Sequence, residues 1–201
     1  PRVVEQICEQ WIALPFEPKN FAESAIALLN NPVEVWKRPF AQLTIEARLL
    51  VYTLASLNGL SESEHLESAW RSVCGSFQVK IARSYAEVLK ETEGSFTLAQ
   101  AYESVLQSEG VGHMVGFINP SAREFAHYDL LDKSDFLEAV IDGAVAFTQL
   151  VFWMEGRQLI SRSIASRNVR PFADVIERKA SMLLDHKEPM LDYWHGGMKI
   201  K

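Results

Sequence analysis

The chain has 201 residues, 48% of them hydrophobic and 23% charged, with a formal net charge of −6 and a mean hydropathy of −0.04. That is ordinary globular composition, enough for one large domain or two small ones. The acidic balance gives no general footprint for nucleic acid or an anionic membrane. Cys8 and Cys74 lack any CxxC or Cys/His ligand spacing, which points to reduced, buried thiols in a cytoplasmic protein, with a disulfide between them as the alternative. The chain opens on Pro1 with no Met and no signal peptide, so we expect a piece of a longer polypeptide.

In chain order, 3–14 reads as a helix, with Val4, Ile7, Cys8, Trp11 and Ile12 at three- and four-residue spacing. PFEPKN breaks it, and a second helix follows from about Asn20. Pro32 opens a third, short helix that Pro39 is expected to close. TIEARLLVYTLASLNG is the clearest element: Thr44 as N-cap, a stripe of Ile45, Leu49, Leu50, Leu54 and Leu57, then Asn58-Gly59 as a left-handed stop. Ser61 with Glu64 looks like a capping box before Leu66, Ala69, Trp70 and Val73. Another helix is expected from about Val79 to Thr92.

Phe96, Leu98 and Ala99 have strand character, SVLQSEGVG is turn-rich, and HMVGFIN is a second strand. Asn119-Pro120 ends the sheet and starts a helix at once, since proline cannot donate to a ladder but suits a first helical turn. Asn119 can cap it, and Ser121 with Glu124 offers an overlapping capping box. Further helices are expected over about 120–131, 134–155, 157–166 and 171–185. The window 136–154 is apolar enough to suggest a bilayer span, but Glu138, Asp142 and Gln149 lie inside it. A carboxylate near mid-membrane costs about 2.5–3.5 kcal/mol, so a buried helix is the better reading and no membrane association is expected.

Three helices, a strand, a turn and a strand over 44–119 form the order of a winged-helix domain. The expected fold class is therefore mainly α: a helical lid (1–43), a winged-helix unit with one short β-hairpin (44–119), and a helical extension (120–201).

Three stretches, PRVVEQI, NPVEVWKRPFAQLTIEARLLVYTLASLNG and VGFINPSAREF, resemble in the same order the region after the ATPase core of bacterial STAND-type P-loop NTPases. The likeness is to the novel-STAND group associated with restriction and antiviral defence, and it covers roughly 1–155. The matching positions are Pro1-Arg2, Asn31-Pro32 with Trp36, the helix around Leu49-Leu50-Leu54-Leu57, and Phe117-Asn119-Pro120-Ser121. The resemblance implies a lid and winged helix that close over nucleotide and relay its state. No G-x-x-x-x-G-K-[ST] loop occurs, and Gly196-Gly197 sits in the tail with no strand before it. This chain is therefore expected not to be an enzyme by itself.

On that likeness, the cofactor would be ATP or ADP with Mg, held by a P-loop core upstream of Pro1, and the chain itself would hold none. The partners would be that core and a downstream sensor or effector region, with self-association left open. Pro1 and Arg2 would meet the nucleotide, Arg2 through its planar charged fork or else merely as a solvated helix end. Asn119 sits where relatives in plants and animals sense a diphosphate, and could touch a phosphate or ribose oxygen in place of capping. Arg157, Arg162, Arg167 and Arg170 form the one basic run, suited to nucleic acid or an acidic partner, or else a polar helix face.

No histidine has metal-ligand spacing; Glu124 and His127 read as a surface pair. Lys80, Arg83 and Lys90 are balanced by Glu87, Glu91 and Glu93, poor equipment for reading DNA. The rival readings are a free-standing winged-helix DNA-binding regulator and a helical protein-interaction scaffold.

Overall fold

The structure is a computed structural model and describes residues 26, 34–103, 111–150 and 173–185. The expected helix at 3–14, the expected helix at 157–166 and the Gly196-Gly197 tail lie outside the described residues.

Helix α1 (Glu34–Gln42) runs through Pro39 instead of closing there. Proline removes one amide from the ladder, but the next residue, Phe40, is 2% exposed and packs on Tyr52, Phe96 and Phe125 with ring centroids 5.2–5.6 Å apart. Arg48 donates to the Ala41 carbonyl at 2.6 Å. Tertiary contacts therefore carry the last turn past the proline.

Helix α2 (Ile45–Ser56) is capped by Thr44, whose hydroxyl accepts from the Ala47 amide at 3.4 Å. It ends as expected, with Asn58 at φ 63° and Gly59 at φ 83°. Beyond Gly59 the chain departs from expectation. Leu60–Glu62 forms strand β1, so Ser61 lies in a sheet and its hydroxyl donates to the Glu62 carbonyl at 3.1 Å. Helix α3 (Ser63–Ser76) then starts at Glu62 with no side-chain cap. Helix α4 (Tyr85–Thr92) begins six residues later than expected. Its start is set by a full capping box between Ser84 and Glu87, while the Ala82 amide donates to the buried Glu46 carboxylate at 2.9 Å and holds the preceding segment on α2.

Strands β2 (Thr97–Glu103) and β3 (Val111–Phe117) join β1 in a three-stranded antiparallel sheet of order β1-β3-β2, so the expected two-stranded hairpin is corrected to three strands. Leu60 and Leu98 both lie opposite Gly116. Helix α5 (Pro120–Leu131) has the expected bounds. Helix α6 (Ser134–Asp142) stops well short of the expected 155.

The reason for that stop is close packing. A Cβ on Gly143 would lie 2.5 Å from Val73 Cα and 2.8 Å from Val73 N, so the chain touches the α3 backbone there. Gln149, fully buried, accepts from the Val145 and Ala146 amides at 2.9 and 3.1 Å as helical structure resumes at Phe147. Its amide group donates to Ser56 Oγ at 2.8 Å. Helix α7 (Ala173–Asp185) meets α6 through an Arg178–Asp142 ion pair at 2.9 Å.

One apolar core runs through these elements, including Trp36 and Phe40 of α1, Leu49, Leu50 and Leu54 of α2, Trp70 and Val73 of α3, and Phe125, Leu130, Leu137 and Ile141 of α5 and α6. Cys74 is buried within it as a free thiol, its pKa pushed up to about 12 by burial and the nearby Glu46 carboxylate. Among the described residues, no helix is long and apolar enough to cross a membrane.

Candidate functional site

Of the residues expected to contact nucleotide, nucleic acid or a partner, the structure describes Asn119. Pro1, Arg2, Arg157, Arg162, Arg167 and Arg170 lie outside the described residues. Asn119 sits in extended conformation between β3 and α5, and its Oδ1 accepts from the Ser121 amide and the Ser121 hydroxyl, both at 2.8 Å. Its carbonyl accepts from the Ala122 and Arg123 amides. Capping therefore occupies both oxygens of Asn119 and the first amides of α5, and only the Nδ2 group is left to meet a ligand. The expected box between Ser121 and Glu124 gives way to a different use: Ser121 Oγ accepts from the Trp36 indole Nε1 at 3.0 Å. Two stretches far apart in sequence thus meet at one hydroxyl.

Sequence reasoning passed over Arg123, one turn into α5. Its Nη2 donates to Asn58 Oδ1 at 2.8 Å, which ties α5 to the left-handed turn after α2. Its Nε is buried with no hydrogen-bond partner among the described residues. Burial pulls its pKa down, against the opposing pull of the Glu124 carboxylate. The side chain can lie there because Gly59 has no Cβ; one would sit 2.8 Å from Arg123 Cδ and 3.2 Å from the Phe117 ring. Gly59, Phe117, Pro120, Arg123 and Glu124 together line an open cleft of about 220 Å³. The signal was present in VGFINPSAREF, but a lone arginine on a helix carries no mark of burial.

This corner brings Arg123 and Glu124 beside the apolar Phe117 and Pro120. Among its lining residues no nucleophile is paired with a base. Among the described residues no group of three histidine, cysteine or carboxylate side chains is placed to hold a metal.

The charges on and just before α4 are turned to structural use. Arg83 is ion-paired with Glu91 and donates to Thr44 Oγ1 at 3.2 Å and to the Glu87 carbonyl at 3.1 Å. Glu91 in turn accepts from the Thr44 amide at 2.7 Å and its hydroxyl at 3.0 Å. Burial pushes the Glu91 pKa up, but these bonds and the Arg83 charge outweigh it and hold the carboxyl below its ordinary value. What α4 exposes includes Ala86, Glu87 and Lys90.

A second polar cluster joins α2 to α5. The buried Tyr52 hydroxyl donates to Asp129, and Lys133 Nζ donates to the same carboxylate at 2.7 Å. The Tyr52 phenol is pushed up by burial and by Asp129, so it stays protonated. The Lys133 ammonium lies 5.5 Å from the Phe40 ring centroid. His127 is also buried, contrary to the surface pair with Glu124 expected from spacing. Its Nε2 donates to the Ala55 carbonyl at 3.1 Å, and burial lowers its pKa to about 4.

Comparison with protein-family models, curated proteins and solved structures found no match.

Proposed function

We propose that this chain is a non-catalytic regulatory segment of a larger STAND-type ATPase, a winged-helix unit with flanking helices that closes over bound nucleotide and relays its state. The observation that carries this reading is the element order over 45–117: helix, strand, two helices, then two strands in a sheet of order β1-β3-β2. That order supports a winged-helix reading, in which the first strand would pad the edge of the hairpin. The Trp36–Ser121 hydrogen bond adds support, since it joins two of the stretches that carry the family resemblance.

A DNA-reading role gains nothing from α4, the helix that would enter the groove. Its neighbour Arg83 is bound to Glu91 and Thr44, and its exposed residues include both the acidic Glu87 and the basic Lys90. In this proposal ATP or ADP with Mg is held by a P-loop core elsewhere in the same polypeptide, and Pro1, Arg2 and the Nδ2 group of Asn119 face it.

The test is made on the full reading frame. A P-loop is expected upstream of Pro1, and Arg2→Ala is expected to change nucleotide affinity or turnover. A frame with no P-loop refutes the reading, and nucleotide behaviour unchanged by that substitution removes Arg2 from the nucleotide contacts.

A further inference from the structure

Asn58 is the one asparagine in the sequence followed by glycine. In that dipeptide the asparagine side-chain carbon can be attacked by the next backbone nitrogen, and glycine puts no Cβ in the way. Asn58 is exposed and sits at φ 63°, between the end of α2 and the start of β1. Three hydrogen bonds hold the pair in the folded chain. Asn58 Oδ1 accepts from Arg123 Nη2 at 2.8 Å, the Gly59 amide donates to the Leu54 carbonyl at 2.9 Å, and the Gly59 carbonyl accepts from the Phe117 amide at 3.2 Å.

We propose that Asn58 is a site of covalent self-modification, a deamidation that the folded turn restrains and local opening of the turn releases. The Gly59 nitrogen gives up its proton to solvent hydroxide and attacks Asn58 Cγ. A C–N bond forms, the Cγ–Nδ2 bond breaks, and the side-chain nitrogen takes up a proton and leaves as ammonia. Water then opens the cyclic imide at either carbonyl, leaving an aspartate or an isoaspartate at position 58.

The fold opposes the first step. Swinging the Asn58–Gly59 peptide toward Cγ breaks the bond to Leu54 and pulls on the Gly59 carbonyl held by Phe117, while Arg123 holds the side-chain oxygen in place. The products act on the same joint. An aspartate sets a carboxylate against Arg123, a charge-assisted bond stronger than the one the amide makes. An isoaspartate routes the main chain through the side-chain carbon and lengthens it by a methylene, just before β1 begins its pairing with β3 at Leu60. Deamidation is therefore a one-way mark on the junction of α2 with the sheet.

The experiment incubates the 201-residue chain at mildly alkaline pH, native and in urea, and follows the peptide holding Asn58 by mass spectrometry. The chain in urea is expected to deamidate at least about tenfold faster, because the native chain must first break the bonds of the turn. Arg123→Met, which keeps an unbranched stem but has no donor, should raise the native rate about threefold or more and leave the rate in urea unchanged. Gly143→Ala, whose added Cβ crowds Val73, should leave the native rate unchanged, which separates opening of the turn from unfolding of the whole chain.

Equal rates in the native chain and in urea, or no modification at Asn58 in urea, would overturn the proposal. A native rate unmoved in a folded Arg123→Met protein would overturn the part given to Arg123. A rate raised as much by Gly143→Ala as by Arg123→Met would overturn local opening as the controlling step. No nucleotide takes part in any of these measurements, so failure here is distinct from failure of the regulatory reading.

Discussion

Two glycines that look alike in the sequence, Gly75 and Gly143, are expected to respond in opposite directions to the same added methyl group. At Gly143 an alanine Cβ would stand 2.5 Å from Val73 Cα, 2.8 Å from Val73 N and 2.8 Å from the Ala139 carbonyl oxygen. All three are backbone atoms, so relief requires α6 to draw away from α3. Overpacking of this kind costs about 1–3 kcal/mol, and here the upper half of that range applies because no rotamer change can help. The lower unfolded-state entropy of alanine returns about 0.4–1 kcal/mol, leaving a net loss of about 2 kcal/mol.

Gly75 lies in the last turn of α3, exposed, with nothing within 4 Å of its added Cβ. Alanine there gains helix propensity alone, about 0.5–1 kcal/mol. Urea unfolding of the two variants should place their midpoints on opposite sides of the wild type. In thermal melts, with about 2–4 °C per kcal/mol for a chain of this size, Gly143→Ala should fall by at least about 4 °C. A Gly143→Ala protein as stable as the wild type, or a destabilised Gly75→Ala protein, would refute the account of the α3–α6 contact.

Acid should act through His127. Its folded pKa of about 4 lies below the ordinary histidine value of 6.5, so the unfolded chain binds the extra proton between those values. The penalty is absent above pH 6.5, grows as pH falls, and reaches about 3 kcal/mol near pH 4; His127→Gln should flatten that part of the stability profile measured by urea midpoints. Ser121→Ala strands the indole N–H of the 1%-exposed Trp36, a loss of about 1–3 kcal/mol that should appear in the same assay. Asn119→Ala removes the α5 cap for about 0.5–2 kcal/mol, whereas Asn119→Asp should retain most of the stability; equal losses in both would show that capping is not what Asn119 contributes to folding.

Elements whose ends are fixed by local chemistry were legible in the sequence. Thr44, Asn58-Gly59 and Asn119-Pro120 mark α2 and the start of α5 correctly, because a cap or a left-handed turn needs only its own few residues. Boundaries set by distant partners were not legible. Pro39 sits inside α1 because Phe40 is locked among three rings, and α6 ends early because Val73, seventy residues back, leaves no room for a side chain.

Strand β1 was missed because three residues are too few to show alternation, and Ser61-x-x-Glu64 mimics a cap. In the candidate site, Asn119 was found by position, but its oxygens proved to be taken. Arg123 was overlooked because its burial depends on a glycine sixty-four positions away.

The hydrogen bond between Gln149 and Ser56 gives the C-terminal side of α2 a mechanical role. Ser56 lies two residues before Asn58, which holds Arg123. The segment that begins at Phe147 and the Asn58-Gly59 turn that forms one wall of the cleft are therefore anchored two residues apart on the same stretch of chain.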